Sequence, residues 1–199
     1  MSARTSVLVD RLLEVLRDDV LPLTRHGVHE GNKVFGAAVL REPDLELVIA
    51  GANEETQNPL FHGEISCLNR YWALPRESRP ASADCIFLSS HEPCSMCLSA
   101  IAWSGFGTFY YLFSYEDTRD AFSIPHDLSI LAEVFRCPEG SYAEANAYWK
   151  SYYLLDLIEH GPPEERPRWH EQVAELRAAY SGLSDHYQSV KRASDIPLR

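Results

Sequence analysis

The sequence predicts an α/β protein whose strands form one mixed sheet. Two short apolar segments separated by a turn at residues 42–44 indicate an antiparallel hairpin near the start of the chain. After the hairpin, segments with helical and strand-like patterns alternate, which is typical of parallel strands joined by crossover helices. A hairpin added to such a unit gives a sheet that contains both strand orientations.

The first elements follow from the spacing of apolar residues. Leucines and valines at helical intervals from Leu8 to Val20 predict an amphipathic helix that ends at Pro22. Residues 24–33 contain two glycines and predict a loop. Residues 35–40 are apolar on both faces and predict a buried strand, with residues 45–50 as its hairpin partner.

The alternating unit comes next along the chain. Helices are predicted from His62 to Leu74 and from Cys94 to Trp103, and strands over residues 85–88 and 108–113. In sheets of this kind ligands bind at the carboxyl ends of the strands, where the following helices begin. The two helices are therefore predicted to start at one site.

The chain beyond Ser114 is predicted to be mainly helical, with helices over residues 127–135, 142–158 and 167–180. Residues 181–199 are polar and predict a loosely held tail. We therefore divide the chain into a domain at residues 1–137 and a helical C-terminal extension at residues 138–199. The extension is expected to pack on the same domain or on a partner subunit.

Composition and charge narrow the classes of function. A chain of 199 residues can form one domain with a full core, and its cysteines and its lack of a long apolar run favour a cytoplasmic location. The net charge is −11, and residues 51–163 carry 6 Lys/Arg against 15 Asp/Glu. Because a nucleic-acid groove needs positive charge, this balance argues against a nucleic-acid partner and favours a small, uncharged substrate.

The residues that carry chemistry stand at the starts of two predicted helices. His62 and Glu64 open the first, and Cys94 and Cys97 open the second. One imidazole and two thiolates are ligands that zinc prefers, and three protein ligands leave a position for water. The spacing of the cysteines puts both sulfurs on one helix face, where the helix N-terminus favours thiolates. Glu64 is then the candidate for moving protons.

Two other interpretations of the cysteine pair remain open. It could be a redox pair, or part of a structural zinc site that is closed by a fourth ligand from Cys67, Cys85 or His91. Neither interpretation accounts for a carboxylate two residues after the histidine. We therefore favour a catalytic zinc site.

His62-Gly63-Glu64, followed by Pro93-Cys94-Ser95-Met96-Cys97 and preceded by the Phe35-Gly36-Ala37 strand, resembles the cytidine deaminase superfamily. Within it the chain is most similar to the cytosine, guanine and tRNA adenosine deaminases, over residues 5–135. The resemblance implies a three-layer α/β/α sandwich with a mixed central sheet. It also implies a Zn²⁺ cofactor bound by His62, Cys94 and Cys97, with Glu64 as the catalytic proton carrier.

The resemblance also implies residues that contact the substrate. Asn53 matches an asparagine that hydrogen-bonds the substrate in this superfamily, and Phe35 lies on the matching strand. Asp120, in Thr118-Arg119-Asp120-Ala121, is similar in position to an aspartate that assists proton transfer in guanine deaminases. His91 stands where the superfamily has an apolar or small residue, and it is a candidate for lining the pocket.

The sequence therefore predicts a zinc-dependent hydrolase that deaminates a small amino-substituted heterocycle and releases ammonia. The expected substrate is a free nucleobase, guanine-like or cytosine-like. The resemblance implies a homo-oligomer, with a dimer as the expected form. The alternatives are a tRNA-specific adenosine deaminase and a zinc-stabilised binding module without catalysis.

Overall fold

The computed structural model of the chain describes residues 2–42 and 44–198; Pro43, in the predicted hairpin turn, lies outside the described residues. The strands are β1 (Gly36–Arg41), β2 (Glu46–Ala52), β3 (Cys85–His91), β4 (Thr108–Phe113) and β5 (Lys150–Tyr153). They form one sheet in the order β2-β1-β3-β4-β5.

Strand pairing confirms the mixed sheet. β1 runs antiparallel to both of its neighbours, so that Ala37 pairs with Gly51 on β2 and with Ser89 on β3. β3 and β4 are parallel, and β5 pairs parallel to β4 at the edge of the sheet. The hairpin and the first parallel pair are thus the ones that the sequence predicts.

The sheet divides the core into two clusters. On β1, Ala37 and Val39 belong to one cluster and Ala38 and Leu40 to the other, because successive side chains of a strand point to opposite faces. All four are fully buried. β1 is therefore a strand buried on both faces, as its apolar sequence predicts.

Helices cover both faces of the sheet and give three layers. The cluster that contains Ala38 is completed by α1, α2 and α8, and the cluster that contains Ala37 is completed by α3 and α4. The helices are α1 (Ser2–Val15), α2 (Leu21–His29), α3 (Gly63–Ala73), α4 (Ser95–Trp103), α5 (Tyr115–Asp120), α6 (His126–Glu133), α7 (Leu154–Glu159) and α8 (Arg166–Val190). Among the described residues, no helix combines the length and the apolar composition that a bilayer crossing requires.

The first helix does not end at Pro22, contrary to the prediction. α1 continues through a π-helical turn, Leu16–Val20, into α2, where Pro22 occupies the first turn. The N–H of Leu21 bonds to the carbonyl of Leu16, five residues back. This wider turn resets the hydrogen-bond register, so that the missing N–H of Pro22 falls at a helix start, where it costs little. Much of the predicted loop at residues 24–33 is therefore helical.

The predicted helix from Tyr142 to Ile158 is wrong in its first part. That segment contains a loop and strand β5 before the short helix α7. Tyr152 and Tyr153 stack on Tyr110 and Tyr111 of β4, with ring centroids 5.2 and 5.3 Å apart. Pairing of aromatic side chains across parallel strands thus outweighs the helical pattern of the segment.

The predicted loose tail is helical at its start, because α8 extends to Val190. Leu183 and Tyr187 are buried in the cluster formed with α1 and α2, and the Ser184 hydroxyl donates to the Phe122 carbonyl at 3.0 Å. Ile196, beyond the helix, is only 2% exposed. The end of the described chain is therefore packed against the domain.

Candidate metal centre

Two helix N-termini bring the three predicted metal ligands together. His62 immediately precedes α3 and Cys94 immediately precedes α4, both in an extended conformation, with ψ of 161° and 169°. Cys97 is the third residue of α4 and lies in its first turn. The ligand atoms of His62, Cys94 and Cys97 all lie within 4.8 Å of one another, and Cys94 Sγ is 3.5 Å from His62 Nδ1.

A divalent cation would displace protons from this centre, because burial, followed by the neighbouring Cys94, holds the pKa of Cys97 well above its ordinary value. A hydrogen bond from Cys97, together with the neighbouring His62, holds the pKa of Cys94 well below its ordinary value. Burial opposes protonation of His62, but Cys94, followed by Glu55 and Glu64, raises its pKa to about 9. Two sulfurs and one imidazole nitrogen in an acidic setting are a donor set that suits zinc.

No fourth His, Cys, Asp or Glu among the described residues joins this group. Of the residues that could close a structural site, Cys67 and Cys85 are buried in the core cluster on the α3 and α4 side of the sheet. His91 is buried among aromatic rings. Within the described chain, the centre therefore offers three candidate protein ligands, the number that catalytic zinc sites use.

Glu64 lies beside this group, in the first turn of α3, and is 4% exposed. One carboxyl oxygen accepts from the Ser89 hydroxyl at 3.1 Å, and the other accepts from the Cys97 thiol at 3.4 Å. Burial, followed by the charge of Cys94, raises the pKa of the carboxyl. A carboxyl with a raised pKa is suited both to accept and to return a proton.

A cavity of about 260 Å³ opens at this centre. Part of its surface, here called the motif lining, consists of Lys33, Phe35, Glu55, Pro59, Leu60, His62, Cys94, Ser95 and Met96. The remainder, here called the C-terminal lining, consists of Ile124, His126, Asp127, Ile130, Pro197 and Leu198. Two of the three candidate metal ligands, His62 and Cys94, thus share one small space with a buried ion pair and with residues from beyond β4.

Of the four predicted substrate residues, the structure brings Phe35 to the cavity. Its ring stacks on that of His62, with centroids 6.5 Å apart. Asn53 is 1% exposed and does not line the cavity. Its amide is bonded to Glu55 instead: Nδ2 donates to Oε2 at 2.7 Å, and Oδ1 accepts from the Glu55 N–H at 3.1 Å.

The structure does not bring His91 or Asp120 into the cavity lining. His91 packs among aromatic rings with centroids 4.8 to 5.5 Å away, those of Phe35, Phe113, Phe122 and Tyr180. Burial lowers its pKa to about 3, so that its ring is neutral. Asp120 is exposed at the end of α5 and forms an ion pair with Arg119 at 2.6 Å.

Three ionisable residues line the cavity without having been predicted as site residues from the sequence. Asp127, in the first turn of α6, lines the cavity, and burial, followed by the charge of Cys94, raises its pKa to about 8. Lys33 and Glu55 form a buried ion pair at 2.9 Å. Asp127 stands seven residues after Asp120 in the segment that resembles guanine deaminases, which is the signal that could have found it. No sequence motif includes Lys33 or Glu55.

The region of the chain that is similar to known proteins includes the metal centre. Residues 14–113 match the family model described as the cytidine and deoxycytidylate deaminase zinc-binding region. Guanine deaminase from Bacillus subtilis (strain 168) is 30% identical over 102 residues, which are 50% of this chain and 63% of that protein. A probable cytosine deaminase from Schizosaccharomyces pombe is 30% identical over 98 residues, 49% of this chain and 57% of the relative. Each alignment thus spans less than two thirds of the relative.

A solved structure has the same fold over most of its length. It is a mutant of the protein NE0047 in complex with 8-azaguanine, and it aligns with a TM-score of 0.54 at 21% identity. The alignment covers 94% of this chain and 83% of that one. The predicted cytidine deaminase-like α/β fold is confirmed, and zinc is the cofactor of the matched region. Because the family model matches half of the sequence and includes all three ligands, the chain belongs to the cytidine and deoxycytidylate deaminase zinc-binding family.

Proposed function

We propose that the protein is a zinc-dependent hydrolase that deaminates a small amino-substituted heterocycle. The observation that carries this proposal is Glu64, a buried carboxyl that touches Cys97 at a centre with three protein ligands. The cavity of about 260 Å³ is just below the range of roughly 300–1,000 Å³ that drug-sized ligands occupy, so that it suits a single heterocycle.

Each group in the reaction has a distinct role. Zinc, which His62, Cys94 and Cys97 would hold, would supply Lewis-acid activation of water. Glu64 takes a proton from the attacking water and returns protons to the ring nitrogen and to the leaving amine. A C–O bond forms, the bond from the ring carbon to the amine breaks, and ammonia leaves. The Ser89 hydroxyl holds the Glu64 carboxyl in place for both transfers.

We assign recognition of the ring edge to Asp127, in place of Asp120. Burial raises the pKa of its carboxyl and so favours the neutral form, which can both donate and accept a hydrogen bond. A ring nitrogen beside an amine offers the complementary pair, and both guanine and cytosine have this edge. Phe35 provides an aromatic face for the ring.

The relatives support a free base as the substrate. They are named guanine deaminase and probable cytosine deaminase, and the solved structure holds 8-azaguanine. The cavity contains one lysine, Lys33, whose charge is already paired with Glu55. This lining offers little attraction to phosphates and supports an uncharged base.

The test is ammonia release by the zinc-loaded protein from guanine, cytosine, adenine, their nucleosides, and related pterins and triazines. We expect release from one or a few free bases, with Glu64→Ala as the blank. Because Glu64 carries the proton transfers, the variant should lose activity by about 100-fold or more while its zinc content stays the same.

Two results would contradict the proposal. A near-normal rate in Glu64→Ala would remove Glu64 from the mechanism. An absence of ammonia from every compound, with zinc bound, would favour the zinc-stabilised binding module instead.

A further inference from the structure

A buried ion pair stands beside the metal centre. Lys33 Nζ donates to Glu55 Oε1 at 2.9 Å, and the two side chains are 5% and 3% exposed. A buried ion pair adds little net stability, because the charges lose their hydration when they leave water. The contacts of the Glu55 carboxylate therefore matter more than the pair itself.

Both oxygens of Glu55 are held by buried donors. Lys33 holds Oε1, and Asn53 Nδ2 donates to Oε2 at 2.7 Å. The Glu55 N–H also donates to Asn53 Oδ1 at 3.1 Å. The carboxylate is therefore fixed in one orientation. In that orientation Oε1 lies 3.7 Å from Nε2 of the metal ligand His62.

We propose that Glu55 is a positioning residue for His62. A negative charge beside Nε2 favours the tautomer with the proton on that nitrogen, which leaves the lone pair on Nδ1. Nδ1 is the nitrogen that faces Cys94 Sγ at 3.5 Å. The distance from Glu55 to Nε2 is about 0.5 Å beyond a hydrogen bond, so that the ring is oriented mainly by charge. The inference rests on the zinc site of the proposed function, not on any reaction there.

Lys33 makes this arrangement possible. The centre already contains two metal-binding cysteines and the Glu64 carboxyl, so that a further carboxylate would repel its neighbours unless a cation lay beside it. Lys33 supplies that cation from within the cavity lining. We therefore expect Lys33→Met and Glu55→Ala each to weaken zinc binding by disturbing the same ion pair. The zinc affinity of the double variant should be only slightly lower than that of either single variant.

The test measures zinc affinity by competition with a chromophoric chelator. Glu55→Ala should bind zinc about 10- to 100-fold more weakly, the usual range for loss of a residue that orients a metal ligand. Glu54→Ala is the matched control, because Glu54 is the preceding residue but pairs with Arg70 at 2.8 Å. Its zinc affinity should equal that of the wild type.

A second readout separates positioning from general damage to the fold. In the cobalt-substituted protein, the visible ligand-field bands should shift in Glu55→Ala, return partly towards wild type in Glu55→Gln, and stay unchanged in Glu54→Ala. The amide oxygen of glutamine keeps an acceptor for Nε2 but not the charge. Since neither readout involves turnover, a failure of the deaminase assay leaves this test intact. Wild-type affinity and bands in Glu55→Ala, or equal losses in Glu54→Ala, would overturn the proposal.

Discussion

The motif lining and the C-terminal lining of the cavity are built in different ways. His62 and Cys94, in the motif lining, sit at helix starts, where backbone geometry places a side chain over a few residues of sequence. In the C-terminal lining, α6 and residues 197–198 reach the cavity only through packing of the whole domain. The metal site thus forms from residues at two helix starts. The remainder of the cavity depends on the packing of segments that are distant in the sequence.

The family match separates the same two linings. Residues 14–113 include every residue of the motif lining and none of the C-terminal lining. We therefore propose that the motif lining supplies chemistry common to the family and that the C-terminal lining selects the substrate. The two linings should then respond differently to substitution.

Among substitutions that compare the two linings, we expect the largest effect on activity at Asp127. Under the proposed function, Asp127→Ala would remove the two hydrogen bonds between this carboxyl and the substrate edge and leave the three candidate metal ligands in place. We expect kcat/KM for the base found in the ammonia assay to fall by about 100-fold, near the upper end for the loss of two hydrogen bonds between neutral groups. Zinc affinity should not change.

Asp120→Ala is the matched control, because Asp120 is exposed and pairs only with Arg119 among the contacts of the described residues. Its kcat/KM should equal that of the wild type. A larger loss in Asp120→Ala than in Asp127→Ala would return the role to Asp120 and break the division between the linings.

A smaller effect, on the pH dependence of stability, is expected at His91. This residue touches Phe35 of the motif lining and packs against Phe122, two residues before the C-terminal lining begins. Burial lowers its pKa to about 3, against 6.5 for an exposed histidine, so that between these pH values the unfolded chain binds more protons. Stability contributed by the neutral ring is therefore lost as the pH falls below 6.5. Between pH 7 and pH 5 this effect should lower the free energy of unfolding of the wild type by about 2 kcal/mol. His91→Phe should not show this decrease.

The measurement is urea unfolding of the metal-free wild type and of His91→Phe at several pH values, which removes zinc release as a second cause. Identical pH slopes for the two proteins would contradict the account of a neutral, buried His91.

The sequence was informative where function depends on short spacing. His62, Glu64, Cys94 and Cys97 could be placed because each lies within one turn of a helix start, and β1 could be placed because it is apolar on both faces. The Lys33 to Glu55 pair spans 22 residues and forms only when α2, β1 and β2 pack together. No local pattern reports such a contact.

The incorrect predictions also arise from contacts between segments that are distant in the sequence. Pro22 stops a helix in most contexts, but the π-helical turn before it depends on how α1 and α2 pack on the sheet. Tyr152 and Tyr153 have a helical pattern around them, yet stacking on β4 makes the segment a strand. Tertiary contacts decided these elements, and they also decided which aspartate, Asp120 or Asp127, reaches the cavity.

We infer that the metal centre, with three candidate protein ligands, keeps a coordination position that no protein ligand fills. The most direct measurement is the visible spectrum of the cobalt-substituted protein before and after addition of azide or cyanide. We predict that the ligand-field bands change as the anion enters the open position. Bands that stay the same at saturating anion would mean a closed site with four protein ligands, and would contradict a hydrolytic centre.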